Sequence, residues 1–207
     1  MKKIVIDTNV LFNMSAGINL GSTTKEVVGL ISQSVSGAQG KEKIALFTTP
    51  GVVKEIESFF ENNDKALLQD FLQCVTIKSP SIFQTSIPAS IMKEYINESR
   101  ARAYRGLTIA EEEIINVGRL FMGKEALPEK EFQMTVGKVI KNVRERYRNA
   151  TRTGFIDSTT DFELIILSRV IEGYLVSTDE GVMKWARKFG VLEMSPEVFG
   201  KEIRACA

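Results

Sequence analysis

The sequence lacks histidine altogether, and this absence removes several classes of active site. Without an imidazole there is no Ser-His-Asp or Cys-His catalysis, no HExxH zinc site and no histidine proton shuttle. Acid–base or metal chemistry must therefore come from carboxylates, lysine, tyrosine, cysteine or bound water.

Cysteines and long hydrophobic runs are also scarce. Cys74 and Cys206 are the only two cysteines of the 207 residues, and their spacing does not form a CxxC zinc motif. Their number fits a reducing cytoplasm better than a disulfide framework. No apolar run approaches the roughly 20 residues of a membrane span, and the N-terminus has no signal-peptide segment. We therefore expect a cytoplasmic protein with no membrane partner.

Strands and helices alternate in the two outer parts of the sequence. Short, largely β-branched runs predict buried parallel strands, and the amphipathic segments between them predict helices. These predicted strands cover residues 3–6, 44–47, 75–77, 174–176 and 191–194. The alternation predicts an α/β fold, a parallel sheet flanked by helices on both faces.

The middle of the sequence carries only helical signals. Its pattern predicts helices at 91–104, 108–123 and 128–151, with Thr108 and Glu111 in capping-box spacing at the start of the second. Residues 92–155 carry a net charge of +4, whereas the rest of the chain carries −3. We therefore predict a basic helical insertion, residues 87–152, within a core formed by residues 1–86 and 153–207.

The last predicted helix of the insertion carries a basic stripe. Its members are spaced three and four residues apart, so they share one helix face: Lys141, Arg144, Arg148 and Arg152. A second face carries an apolar stripe that predicts an anchor: Val136, Ile140, Val143 and Tyr147. The basic stripe is either a solvated surface or a face that binds phosphates, and its arginines suit bidentate phosphate contacts.

Four aspartates stand where a parallel sheet would bring them together. Asp7 follows the first strand, Asp157 and Asp161 lie four apart at a predicted helix start, and Asp179 follows the strand at 174–176. Loops at the carboxyl ends of parallel strands line the ligand crevice of open α/β sheets. Converging carboxylates repel one another, and Mg²⁺ or Mn²⁺ removes that repulsion. The placement therefore predicts a divalent metal site.

Each acidic residue also has a structural interpretation. Asp7 could cap a turn, Asp157 and Asp161 could favour a helix N-terminus, and Asp179 could be a turn residue. Glu55 could either reach the same crevice or occupy a solvated helix position. The joint placement of the four aspartates favours the site.

Four segments, in order, resemble the acidic motifs of PIN-domain nucleases. They are Val5–Leu11, Thr49–Ile56, Asp161 with the apolar helix after it, and Val176–Val182. The helical insertion and the additional Asp157 further resemble the minimal protein-only ribonuclease P group, called HARP, whose archaeal members have also been labelled RNA ligase partner proteins. This resemblance covers essentially the whole chain.

The resemblance implies a metal-dependent endoribonuclease of the ribonuclease P type that needs no RNA subunit. In that family the core cuts precursor tRNA at its 5′ end, and the helical insertion, called the spike, binds the tRNA body. Asp7, Asp157, Asp161 and Asp179 match the catalytic, metal-binding aspartates, and Arg144 and Arg148 match the place of the RNA-contacting arginines. Family members form dimers and larger oligomers through the spike, which implies a homo-oligomer here.

Three polar residues within these motifs are candidates for holding the site in place. Thr8, Asn9 and Ser177 are expected to hydrogen-bond the carboxylates or the scissile phosphate. The expected reaction is metal-assisted hydrolysis, with water as the nucleophile.

Two other functions compete with this interpretation. One is a PIN endoribonuclease of different RNA specificity, against which the long basic insertion counts. The other is a non-catalytic RNA-binding partner of an RNA ligase, against which the four aspartates count.

Overall fold

A computed structural model of the chain describes residues 1–37, 43–60, 64–123 and 125–206. It divides into two compact units. The core unit consists of Met1–Ile87 and Ile156–Ala207, and the insertion unit consists of Pro88–Phe155. The described residues contain no helix that combines the length and the apolar character needed to cross a membrane.

The core unit is built on a parallel sheet, which has five strands in the described residues. The strands are β1 (Lys2–Ile6), β2 (Ile44–Thr48), β3 (Val75–Ile77), β4 (Tyr174–Val176) and β5 (Leu192–Glu193), arranged in the order β3-β2-β1-β4-β5. In the centre, Ile4 pairs with Leu46 of β2 on one side and with Tyr174 of β4 on the other. The predicted α/β fold with a parallel sheet is confirmed.

Helices connect the strands and also form the insertion. In chain order they are α1 (Thr8–Phe12), α2 (Thr24–Ser36), α3 (Pro50–Phe59), α4 (Lys65–Cys74), α5 (Ala89–Phe121), α6 (Glu129–Arg152), α7 (Thr159–Val170), α8 (Glu180–Lys188) and α9 (Pro196–Arg204). Short 3-10 helices cover Met14–Ala16 and Ile82–Gln84.

Side-chain caps fix the starts of several core helices. The hydroxyls of Thr23, Thr49 and Ser195 each accept a hydrogen bond from the backbone N–H three residues later. Pro50 and Pro196 follow two of these caps at the first helical position, where no N–H donor is needed. These local signals make the helix starts readable from the sequence.

The hydrophobic core lies between the sheet and its flanking helices. The side chains of β1 from Ile4 to Ile6 are completely buried, as are Leu175 and Val176 of the neighbouring β4. Apolar residues of α2, α3, α7, α8 and α9 cover the sheet, and they include Ile31, Ile56, Leu164, Trp185 and Phe199. Burying such side chains stabilises the fold by about 1.5–3 kcal/mol each.

The insertion unit is a hairpin of two long helices, α5 and α6. Phe121 packs against Phe132 near the turn, and Gly106 lies beside Tyr147 further away, so the two helices run antiparallel. The prediction of two helices at 91–104 and 108–123 is wrong, because α5 continues without a break from 89 to 121. Thr108 is not a cap, since its hydroxyl donates to the carbonyl of Tyr104 within the helix.

Packing explains why the helix continues through Gly106. A Cβ atom at this position would come within 2.5 Å of the Tyr147 ring. The missing side chain therefore lets α6 approach α5 closely, and this contact outweighs the roughly 1 kcal/mol by which glycine disfavours a helix.

Polar residues hold much of the seam between α5 and α6. The buried carboxylate of Glu113 accepts hydrogen bonds from Asn142 at 3.0 Å and from Arg146, which also pairs with Glu112. The predicted apolar anchor is weaker than expected, because α6 has no fully buried residue and both Ile140 and Tyr147 are about half exposed. Ion pairs between the helices supply what the apolar stripe lacks.

Arg102 closes the C-terminal end of α6. Its buried guanidinium donates to the carbonyl oxygens of Thr151, Thr153 and Gly154 at 3.0–3.2 Å and lies 4.7 Å from the centre of the Phe155 ring. The last carbonyls of a helix have no partner within it, so a buried arginine is an effective end cap.

Candidate active site

The site lies where the order of the strands reverses, beside the carboxyl ends of β1 and β4. The backbone N–H of Asp7 donates to the carbonyl of Val176 at 3.1 Å, which fixes Asp7 next to the end of β4. Helices leave the sheet in both directions from this point, and ligands bind in the crevice that results. The strand order therefore accounts for the position of Asp7.

Ser177 links two of the predicted aspartates. Its hydroxyl donates to Asp7 Oδ2 at 2.6 Å and accepts from the backbone N–H of Asp179 at 3.0 Å. Asp7 is only 4% exposed, so its carboxylate depends on this hydrogen bond for much of its solvation. The sequence prediction that Ser177 bonds a carboxylate matches this geometry.

Asp179 caps α8 as well as facing the other carboxylates. Its Oδ1 accepts hydrogen bonds from the backbone N–H groups of Gly181 at 2.6 Å and Val182 at 3.1 Å. This structural role accounts for one of the two carboxylate oxygens of Asp179. Its charge also raises the pKa of both Asp7 and Asp161, so Asp179 belongs to the same cluster.

Glu55 joins the cluster from α3. Thr8 at the start of α1 donates from its hydroxyl to Glu55 Oε2 at 2.8 Å, and Glu55 raises the pKa of Asp7 and Asp161. Glu55 is exposed on α3 and at the same time acts on the charges of Asp7 and Asp161, so its place in the site stays a prediction. Thr8 therefore holds a carboxylate, as its position after β1 suggested.

Asp161 lies in the first turn of α7, whereas Asp157 lies before this helix. The cap is Ser158, whose hydroxyl accepts from the backbone N–H of Thr160 at 3.1 Å. The expectation that Asp157 and Asp161 share a helix face is therefore wrong, because the helix begins at Thr159. Asp157 nevertheless raises the pKa of Asp161, so its charge acts on the same cluster.

A close contact between helix starts brings these residues together, and the sequence reasoning missed it. A Cβ atom at Gly51 of α3 would stand 2.8 Å from the hydroxyl of Thr160 in α7. Only glycine permits this approach of the two helices. The glycine after Pro50 was the available signal.

Asn9 differs from Thr8 and Ser177, the two other residues predicted to hydrogen-bond the carboxylates or the phosphate. Its Oδ1 is buried, and it has no hydrogen-bond partner among the residues that the structure describes. A hydrogen bond from Asn9 to the carboxylates or to a phosphate stays a prediction.

Repulsion and burial raise two pKa values in the cluster. The pKa of Asp7 rises to about 6, first through burial and then through the charges of Glu55 and Asp179, whereas hydrogen bonds from Ser177 and from the backbone of Thr8 act in the opposite direction. The pKa of Asp161 rises to about 7, first through burial and then through the charges of Asp7, Asp179, Glu55 and Asp157. Five carboxylates thus share one electrostatic environment.

These raised pKa values predict an unusual pH dependence of stability. Between about pH 4.5 and pH 7 the folded protein holds protons on Asp7 and Asp161 that the unfolded chain has lost. The free energy of unfolding in chelator-containing buffer should therefore decrease as the pH rises through this range. Urea unfolding at several pH values measures the slope.

The matched variant for this measurement is Asp161→Asn. It removes one of the two raised groups, so its stability should depend less on pH than that of the wild type. Equal slopes in the two proteins would contradict the assignment of the raised pKa to Asp161.

The chemistry of these side chains fits a hard divalent cation. All the donors are carboxylate oxygens, the ligands that Mg²⁺ and Mn²⁺ prefer, and a cation would offset the repulsion that raises the two pKa values. Among the described residues, no three acidic or cysteine side chains already stand close enough together to coordinate an ion. Any such ion would draw the carboxylates closer to one another.

The basic stripe lies on the exposed side of α6 in the insertion unit. Lys141, Arg144, Arg148 and Arg152 are all exposed. The first three of them, with Gly137, Ile140, Glu145 and Asn149, line a shallow depression of about 410 Å³. A charged, open surface of this kind suits a large polyanion better than a small ligand.

The sequence of this chain is similar to known proteins over almost all of its length. Residues 3–206 match the model of a family described as PINc domain ribonuclease. The matched range includes every acidic residue of the cluster.

Individual relatives match over nearly their whole length. The RNA-free ribonuclease P of Ignicoccus hospitalis is 34% identical over 209 residues, covering 98% of this chain and 95% of the relative. That of Hyperthermus butylicus is 32% identical over 205 residues, covering 96% and 86%. That of Thermodesulfovibrio yellowstonii is 31% identical over 198 residues, covering 96% and 91%.

Proposed function

We propose, from the premise that this chain belongs to the PINc domain ribonucleases and among them to the RNA-free ribonuclease P proteins, that it removes the 5′ leader from precursor tRNA. The observation that carries this proposal is the carboxylate cluster around Asp7, inside a chain of which 98% aligns with the relative from Ignicoccus hospitalis. The enzyme is an endoribonuclease that acts as protein alone.

The cluster supplies the side chains for a metal-dependent reaction. Asp7, Asp161 and Asp179 would hold Mg²⁺ or Mn²⁺, with Asp157 and Glu55 beside them. A bound divalent ion neutralises charge at the scissile phosphate and makes water a better nucleophile at neutral pH. Ser177 and Thr8 orient Asp7 and Glu55 through the hydrogen bonds described above.

The chemistry of the products follows from the nucleophile. Water attacks the phosphorus atom, the bond to the 3′ oxygen of the last leader nucleotide breaks, and that oxygen takes up a proton. The mature tRNA keeps a 5′-phosphate, and the leader ends in a 3′-hydroxyl. No histidine is needed, which agrees with the composition.

Mapping the cut on precursor tRNA tests this function. The purified chain is incubated with precursor tRNA and Mg²⁺, and the ends of the products are sequenced. A single cut at the mature 5′ end supports the proposal. Cuts inside the tRNA or in other RNAs would favour a PIN endoribonuclease of different specificity, and binding without cleavage would favour the RNA ligase partner.

The insertion is the part of the chain that we assign to RNA binding. Residues 87–152 would bind the folded tRNA body, and residues 1–86 with 153–207 would form the nuclease core. Folded RNA presents a regular array of phosphates and 2′-hydroxyls, which an exposed row of arginines can contact. The exposed stripe on α6 supports this assignment.

Charge reversal on the stripe should weaken binding in a salt-dependent way. Arg144→Glu combined with Arg148→Glu is expected to raise the Kd for precursor tRNA about ten- to a hundredfold at low salt. It should also lower the slope of log Kd against log salt by about 2, roughly one unit for each lost phosphate contact. Filter binding over a salt series measures both quantities.

The control places the same change of charge on the other helix. Arg105→Glu with Arg119→Glu alters two exposed arginines of α5. It should change the Kd less than the α6 pair. Equal effects of the two pairs would show that only net charge matters, and the stripe would lose its assigned role.

We also propose that the chain forms dimers or larger homo-oligomers through α5 and α6. One face of α5 exposes four large apolar side chains, Tyr104, Leu107, Ile114 and Ile115. Their spacing places them within about a third of the helix circumference, and an exposed apolar stripe of this kind is typical of an interface. The cytoplasmic location stays a prediction from the cysteine content.

Polar substitution on this face should reduce the molar mass in solution. Leu107→Lys combined with Ile114→Lys introduces two charges on the apolar face, and light scattering should then detect a smaller assembly. Phe83→Ser, which changes a fully exposed apolar residue of the core unit, is the control and should leave the mass unchanged. An unchanged mass in the lysine variant would rule out this face as the interface.

A further inference from the structure

The core unit presents a group of three aromatic side chains, Phe12, Phe59 and Phe60, which we call the aromatic platform. The rings of Phe12 and Phe59 lie 4.3 Å apart between centres and are tilted by 33°. Phe60 packs edge-on against Phe12 with 6.3 Å between centres. Phe12 and Phe60 are partly covered, but Phe59 is 63% exposed. One side of the Phe59 ring therefore rests on Phe12 while much of it faces solvent.

The platform stands next to the carboxylate cluster. Thr8 of α1 and Glu55 of α3 are joined by the 2.8 Å hydrogen bond. Phe12 is four residues after Thr8, and Phe59 is four residues after Glu55. Four residues advance a helix by about 6 Å and return to the same face, so the ring contact repeats the hydrogen-bonded contact one turn further along.

Internal packing explains only part of this arrangement. The contact between Phe12 and Phe59 joins α1 to α3, but it leaves most of Phe59 in water. A phenylalanine side chain loses much of its hydrophobic stabilisation when it stays exposed. An exposed ring that is backed by a second ring instead matches the platforms on which proteins stack nucleobases.

We infer that Phe59, supported by Phe12, stacks an unpaired nucleobase of the 5′ leader beside the scissile bond. This inference rests on the proposed function. The 5′ end of mature tRNA is paired in the acceptor stem, so the unpaired bases near the cut belong to the leader or to the 3′ end. The last leader nucleotide is joined directly to the scissile phosphate, which favours the leader, and only the 3′ end is still present in mature tRNA. Stacking tolerates any base, because each has a flat π face, and a leader-binding platform would therefore accept leaders of varied sequence.

A fluorescence experiment tests stacking without relying on cleavage. Trp185 is the only tryptophan of the chain and is 1% exposed, so the variant Phe59→Trp adds a single exposed reporter. It is made together with Asp7→Asn to suppress cleavage of the probe. A single-stranded oligoadenylate of about six nucleotides, within the usual site size of single-strand binding folds, should quench the added emission. The same sugar–phosphate chain without bases should not.

A kinetic experiment then assigns the platform to the leader. Phe59→Ala should raise the KM for precursor tRNA about five- to a hundredfold, the range that alanine substitution gives for one stacked base. Inhibition by mature tRNA, which has no leader, should not change. Phe59→Tyr should retain the wild-type KM, whereas Phe59→Leu, which is apolar but not planar, should behave like Phe59→Ala. The matched control is Phe83→Ala, another exposed phenylalanine of the core unit.

Substrates with one abasic leader nucleotide identify the stacked base. At one leader position the abasic substrate should raise the KM of the wild type but not the KM of Phe59→Ala, because the variant has already lost the contact.

Several results would overturn the inference. One is a wild-type KM in Phe59→Leu. Another is that Phe59→Ala weakens the binding of precursor tRNA and of mature tRNA equally. A third is a lower molar mass of Phe59→Ala, which would show that Phe59 contacts a second copy. If the chain fails to cut precursor tRNA but the oligoadenylate still quenches Phe59→Trp, the proposed function fails and the base-stacking site stands. If the chain cuts correctly and no quenching occurs, the stacking site alone is wrong.

Discussion

Asp7→Asn is expected to lower the rate of precursor tRNA cleavage at least about a thousandfold while making the metal-free protein more stable. Activity falls because a divalent ion stabilises the transition state by several kcal/mol, and each 1.36 kcal/mol is tenfold in rate. Stability rises because Asp7, with a pKa of about 6, is ionised at neutral pH in a buried position. Removing that charge should raise the free energy of unfolding by on the order of 2 kcal/mol.

Three measurements separate this prediction from simple damage to the fold. Urea unfolding near neutral pH in chelator-containing buffer should show the variant to be more stable than the wild type. Added Mg²⁺ should then raise the melting temperature of the wild type more than that of the variant, because an ion that binds only the folded state stabilises it. Cleavage assays give the loss of rate.

The control is Asp70→Asn, the same chemical change on an exposed part of α4. It should alter neither cleavage nor the response to Mg²⁺. Full activity of Asp7→Asn, or cleavage that persists unchanged in chelator, would refute the metal-dependent reaction.

Among the described glycines of the core unit, Gly200 is expected to tolerate an added methyl group least, so that Gly200→Ala is strongly destabilising. A Cβ atom at Gly200 of α9 would overlap the carbonyl oxygen of Ile18, and both partners are backbone. Neither a rotamer change nor a flexible side-chain tip can relieve this overlap, so α9 must move away from the segment it covers. Overpacking of this kind costs about 3 kcal/mol or more. Urea or thermal unfolding measures the loss.

A second glycine provides the control with the opposite sign. Gly137 lies within α6 and is exposed, and a Cβ atom added to it would meet open space among the described residues. Gly137→Ala should therefore stabilise the insertion unit by about 0.5–1 kcal/mol through the higher helix propensity of alanine. A Gly200→Ala variant as stable as the wild type would contradict the close approach of α9 to Ile18.

Local signals were sufficient to predict much of the fold. The parallel strands follow from short β-branched runs, and the starts of α3 and α9 follow from a hydroxyl residue before a proline. The positions of Asp7 and Asp179 could also be inferred, because residues after adjacent parallel strands meet at one edge of the sheet. Each of these inferences depends on sequence neighbours or on a general rule of sheet topology.

Long-range contacts account for what the sequence did not predict. The unbroken helix α5 depends on Tyr147 packing over Gly106, about 40 residues away in sequence. The position of Asp157 is a local exception, because Ser158, the next residue in the chain, caps α7 and leaves Asp157 outside the helix. The ring contact of Phe12 with Phe59 likewise has no signature in either segment alone.

The strand order also determines when the carboxylate cluster can form during protein synthesis. β1 occupies the centre of the sheet, yet its neighbour β4 follows about 170 residues later. Asp7 and Glu55 are therefore made early, whereas Asp161, Ser177 and Asp179 follow more than 100 residues after Glu55. Until then one edge of β1 is unpaired, and the carboxylate cluster is half complete. A chain synthesised only as far as β3 therefore carries Asp7 and Glu55 without their partners, and the proposed metal site cannot form on it.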